Sequence, residues 1–187
     1  MINFAQIRNG RTRRSATRGF SLIELLIVVA IILIIAAIAI PQLLSSRMAA
    51  NGAAAAETIR TITTASMAYS STWGNGFPPS LASLGGPAGS LAPTCNQALL
   101  LDPIITAAPF QKSGYAFAYQ TVGPLVTAPA GCGAPGANAY LVTATPINYK
   151  LTGIDSYCSD EPGTIHFDTS GATAASEGAC ELLPTLQ

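Results

Sequence analysis

The chain has 187 residues, 49 % of them apolar and only 10 % charged, with nine basic and nine acidic side chains and a formal net charge of zero. That length leaves room for one domain of ordinary size besides a membrane segment, and so few charges argue against a typical soluble cytoplasmic domain. The balance hides an asymmetry: residues 1–19 hold five of the nine basic side chains and no acid, so the chain from Phe20 onward carries four basic and nine acidic groups, net −5, which argues against unassisted binding to nucleic acid phosphates.

In chain order, the first stretch is a basic leader with Arg8, Arg11, Arg13, Arg14 and Arg18. The excess of arginine keeps this end on the cytoplasmic side of a membrane. From Phe20 to Ile40 the chain is apolar except for Glu24. A helix of 21 residues at about 1.5 Å per residue spans the roughly 30 Å hydrocarbon core, so the segment reads as one membrane span with the bulk of the chain outside. A carboxylate near the start of such a helix costs on the order of 3 kcal/mol and persists only with a partner or a function. Cleavage after Gly19 would create an amine on Phe20, four residues before Glu24. In an apolar bundle the amine of one subunit and the carboxylate of another would neutralise each other. Ala37-Ile38-Ala39 has the form cut by a secretory signal peptidase, but the apolar run is longer than a removable signal and contains Glu24.

Gly19-Phe20-Ser21-Leu22-Ile23-Glu24-Leu25, preceded by the basic leader and followed by Pro41, resembles the cleavage and methylation motif of type IV prepilins and type II secretion pseudopilins. The resemblance covers about the first 50 residues. It implies that prepilin peptidase cuts after Gly19 and methylates the amine of Phe20, that Glu24 pairs with that amine in a filament, and that Pro41 kinks the helix. The partners it implies are the peptidase, copies of the chain or other pilins, and an inner-membrane assembly platform. The precursor would be single-pass in the inner membrane with its head in the periplasm, and the product an extracellular pilus or a periplasm-spanning pseudopilus.

Pro41 removes a hydrogen bond to the Ala37 carbonyl but need not end the helix. Residues 42–71 are rich in helix formers, interrupted by Asn51-Gly52, and Ile59, Ile62, Ser66, Tyr69 and Trp73 recur at spacings of three and four. The pattern predicts an amphipathic continuation over 41–73 whose apolar stripe packs on a head at 74–187. Trp73-Gly74-Asn75-Gly76-Phe77-Pro78-Pro79 stops the helix. A short helical turn is expected at Ser80–Leu84 and another within Leu99–Ala108, with Asp102 and Pro103 as N-cap and first position.

Alternation predicts strands at Tyr115–Gln120, Ala139–Thr145 and Thr164–Asp168, with Gly123–Gly136 as a loop and a weak fourth strand near the C-terminus. The fold class is therefore α+β: a long N-terminal helix on a small antiparallel sheet, as the pilin resemblance also implies. Cys95, Cys132, Cys158 and Cys180 all fall outside the membrane, where an even count reads as two disulfides with three possible connectivities. Sequential pairing, which closes the shorter loops, is the expectation.

His166 is the only histidine, and no nucleophile motif, zinc spacing or phosphate loop accompanies it. No enzyme and no cofactor is expected, and His166 reads as solvent-facing. Asp155, Asp160 and Glu161 surround Cys158 and are calcium candidates in an oxidising compartment. Their spacing matches no regular calcium loop, and a solvated acidic loop is the plainer reading.

The function expected is a structural subunit of a type IV pilus. The alternatives are a secretion pseudopilin, a minor tip pilin that binds surfaces, DNA or cargo, and an exported soluble protein starting at Ile40.

Overall fold

A computed structural model describes residues 19–87, 89–90 and 92–186. The leader arginines, and with them that part of the sequence reading, lie outside the described residues. The chain divides into two compact units, Met1–Pro41 and Gln42–Gln187. Helix α1, Leu22–Trp73, contributes to both and contains Pro41. In the first unit every residue from Gly19 to Ile40 is exposed except the half-buried Ala36.

In the second unit the face of α1 bearing Ile59, Ile62, Ser66 and Tyr69 is buried, as the three-and-four spacing predicts. It covers one antiparallel sheet which, among the described residues, has five strands in sequential order. These are β1 (Gln111–Lys112), β2 (Tyr115–Val126), β3 (Gly136–Pro146), β4 (Ser156–Ser159) and β5 (Ile165–Asp168). Inward-facing Tyr115, Phe117, Tyr140, Val142, Ala144 and Tyr157 meet Ile59, Ile62 and Tyr69 in the main core. Complete burial of an isoleucine or leucine contributes about 1.5 to 3 kcal/mol. The layout is α+β and pilin-like.

Short helices α2 (Leu81–Leu84) and α3 (Pro103–Thr106) flank the core. The Asp102 carboxylate accepts from the Ile104 N–H at 2.8 Å and caps α3, which Pro103 opens. Tyr69 donates from its hydroxyl to the Cys95 carbonyl at 2.7 Å, and Asn75 donates to the same hydroxyl oxygen at 3.2 Å. The end of α1 is thereby tied to the Cys95–Cys132 disulfide, whose Cα atoms are 5.5 Å apart.

Four expectations need correction. Gly123–Gly136 is not all loop: β2 continues to Val126, β3 begins at Gly136, and the register shifts between Val122 and Leu125. Gly123 there has φ +75°, open to glycine, and Pro124 lacks an N–H, so a bulge interrupts the ladder without ending it. Strand β4 lies where a loop was expected, and all four of its residues are buried, so it shows no apolar and polar alternation to read. The C-terminal strand is instead helix α4, Glu177–Glu181, followed by an isolated bridge between His166 and Thr185. His166 is only 8 % exposed, with Nδ1 2.7 Å from the Leu183 carbonyl oxygen, because the residues after α4 fold back over β5.

A second, smaller core lies on the other face of the sheet, where Leu141, Cys158 and Cys180 pack with Val122, Ala174 and Leu183. The Cys158–Cys180 disulfide, with Cα atoms 6.0 Å apart, fixes α4 to β4 there.

Candidate maturation and assembly segment

The segment begins at the Gly19-Phe20 bond, in non-helical backbone immediately before α1. A Cβ built on Gly19 meets no atom within 4 Å, and φ there is not positive. Among the described residues nothing demands glycine at this position. Phe20 is 79 % exposed.

Ser21 stands at the N-cap of α1, and its backbone N–H donates to Glu24 Oε2 at 2.9 Å. Ser21-Leu22-Ile23-Glu24 is thus half of a capping box, in which the third helical residue reaches back to the cap. The carboxylate also sits at the positive end of the helix dipole, where it is stabilising. Sequence reasoning missed this local partner, although the S-x-x-E spacing announces it. Glu24 is therefore satisfied within its own chain.

Between Glu24 and Arg47 no side chain is charged. The helix contains an 18-residue window apolar enough to cross a membrane, and no residue of that window is buried. Such a surface needs lipid or other apolar helices around it.

The structure separates Asp155 from Asp160 and Glu161, the two acids read with it from the sequence. Asp155 and Asp160 stand on either side of β4, and five residues of extended chain put them roughly 17 Å apart. Asp155 has its carbonyl beside the Tyr115 hydroxyl, which donates to it at 2.9 Å. Asp160 instead joins Glu177 and Glu181, their carboxylate oxygens lying within 4.8 Å of one another. Burial pushes the Asp160 carboxyl above its usual range; its own backbone N–H opposes the rise, Glu161 and Glu181 add to it, and His166 opposes it more weakly. Glu177 is raised too, first by desolvation and then by Glu161.

Residues 14–40 match the family described as the prokaryotic N-terminal methylation motif. The protein is thus an α+β chain of pilin-like layout that carries the prepilin-type cleavage and methylation signature. That motif supports a type IV pilin or a pseudopilin. The comparison with curated proteins finds no match for the chain, and neither does the comparison with solved structures.

Proposed function

We propose that the protein is a structural subunit of a type IV pilus, made as an inner-membrane precursor and matured by cleavage after Gly19 and methylation of Phe20. The observation that carries this reading is the exposed apolar segment from Phe20 to Ile40, helical from Leu22, with Glu24 as its one charge, placed inside the matched motif. On assembly the helix exchanges lipid for copies of itself, as a repeated contact related by helical symmetry allows. Cleavage frees the Phe20 amine, and Glu24 gives up its bond to the Ser21 N–H to pair with an amine on a neighbour. The head stays in the periplasm until then. Pro41 leaves the Ala37 carbonyl without its helical donor, so the helix loosens there when the filament forms.

The variant Glu24→Gln tests this reading, because glutamine still accepts from Ser21 while lacking the charge. Processing of the leader is expected to continue, and filaments in a sheared surface fraction of the host are expected to disappear. Normal filament yield from Glu24→Gln would refute the charge-pairing role. Processed wild-type protein that never enters the sheared fraction would place it in a secretion pseudopilus.

A further inference from the structure

The four basic side chains that follow Phe20 are unevenly placed in the second unit. Arg60 pairs with Glu57 at 3.2 Å on the exposed side of α1. Arg47, Lys112 and Lys150 are exposed, and among the described residues none of them forms an ion pair. All three gather at one end of the sheet. The Ile147 N–H donates to the Gly114 carbonyl at 3.0 Å, which joins the β1–β2 turn beside Lys112 to the loop that carries Lys150. Asn51 donates to the Thr152 carbonyl at 2.8 Å and fastens that loop to α1, one helical turn beyond Arg47. Arg47, Leu44, Asn51, Ser113 and Leu151 line a single groove of about 370 Å³.

Much of the acid lies at the other end. Ser159 meets Thr63 of α1, twelve residues or roughly 18 Å along the helix from Asn51. Asp160 follows it and gathers Glu177 and Glu181. Two acids share the basic end, the half-buried Asp155 and, paired with Ser156 across the β4–β5 ladder, Asp168. The Asp168 carboxylate is already occupied by the Ser170 N–H at 2.8 Å and the Ser170 hydroxyl at 2.7 Å. Around the cations Ile147, Tyr149, Leu151 and Ile154 are exposed, and Lys150 Nζ lies 5.2 Å from the centre of the Tyr149 ring. Single exposed aliphatic side chains need no explanation, but a contiguous apolar patch with cations and an aromatic ring among them marks a contact surface. Aromatic rings and long basic side chains are the groups that settle at the boundary between lipid and water.

We infer that this end of the head docks on anionic lipid headgroups at the surface of the membrane. The inference rests on the membrane-inserted chain proposed above. Chain length alone keeps Leu44, one wall of the groove, within about 14 Å of Ile40, where the apolar run ends. The planar guanidinium of Arg47 matches the oxygens of a phosphodiester with two parallel hydrogen bonds. Lys112 and Lys150 add point charges beside it, and Ile147 and Leu151 enter the apolar boundary below the phosphates. Each basic group near an anionic surface strengthens binding about fivefold. The acids of the far end are repelled by the same surface, so the separation of charge orients the head as well as holding it.

The test places the chain recovered from its host's membranes in lipid nanodiscs, as single copies, and follows amide hydrogen exchange by mass spectrometry. Discs of phosphatidylcholine alone are compared with discs rich in phosphatidylglycerol. Exchange over residues 111–115 and 147–153 is expected to slow at least about fivefold in the anionic discs, the gain from one basic group, while β3 exchanges equally in both. The variant Arg47→Gln/Lys112→Gln/Lys150→Gln changes exposed side chains that form no ion pair and is expected to keep its Tm and lose the slowing. Sodium chloride at about 0.5 M, where the screening length falls to roughly 4 Å, is expected to remove it from the wild type as well. Equal exchange in the two lipids by a chain that stays embedded would overturn this inference alone. A chain that leaves the discs would overturn the membrane reading together with it. Slowing that survives the triple variant or the salt would also overturn the docking. So would slowing seen only in discs that hold several copies, which would assign the face to a neighbouring subunit.

Discussion

Replacing Gly52 by alanine sets two effects against each other. In a helix interior the change favours the folded chain by about 1 kcal/mol. Gly52, however, is buried where α1 crosses the sheet, and a Cβ there would lie 2.7 Å from the Tyr157 hydroxyl oxygen. Tyr157 is itself buried and packs at 5.9 Å between ring centroids on Tyr115, so it cannot retreat freely. Overpacking of this kind costs about 1 to 3 kcal/mol. The net for Gly52→Ala is a loss of about 1 kcal/mol, or roughly 3 °C in Tm. Removing the hydroxyl reverses the sign, because the next atoms a Cβ would meet are at 3.5 and 3.6 Å, ordinary contact. In a Tyr157→Phe background Gly52→Ala should therefore stabilise by about 1 kcal/mol, giving a coupling of about 2 kcal/mol across the pair. Thermal unfolding of the mature chain in micelles, followed by near-ultraviolet circular dichroism, reads all four members of the cycle. Equal effects of Gly52→Ala in both backgrounds would refute the close approach as the reason for glycine.

The disulfides close loops of 37 and 22 residues, and by loop entropy each contributes roughly 3.5 kcal/mol. The paired variants Cys95→Ser/Cys132→Ser and Cys158→Ser/Cys180→Ser should each lower Tm by about 10 °C, and an unchanged melt would deny the bridge a stabilising role. Burial raises the Tyr140 phenol from its usual 10.0 to about 12 and pushes Tyr119, Tyr115 and Tyr157 up as well. A raised folded-state pKa means stability that is complete below the unfolded value and lost as pH rises through the folded one. The contribution of these tyrosines is therefore flat up to about pH 10, and that of Tyr140 is lost between there and about 12. Melts that decline well below that window, without tyrosinate absorbance appearing, would contradict this assignment.

The architecture was largely legible because its signals are local. The uncharged run to Ile40, the stripe through Ile59, Ile62 and Tyr69, and the alternation of Tyr115, Phe117 and Tyr119 each report the environment of one element. What escaped depends on contacts between elements. Strand β4 is covered on both faces, so Ser156-Tyr157-Cys158-Ser159 has no apolar side to display. His166 looks solvent-facing until the segment around Leu183 folds over it. Asp160 meets Glu177 and Glu181 only because Cys158 and Cys180 bring together two stretches 22 residues apart. The Glu24 bond to Ser21, by contrast, was available in the sequence as a capping-box spacing, hidden behind the intersubunit role the same residue suggests.

The central claim is that the chain is cut at Gly19 and assembles through the helix this exposes. N-terminal sequencing and intact mass of the protein recovered from its host's membranes test it most directly. The account predicts a chain beginning at Phe20, heavier than the bare sequence by one methylation and lighter by the four hydrogens lost to the Cys95–Cys132 and Cys158–Cys180 bonds. A chain that retains Met1, or one that starts at Ile40, would contradict it.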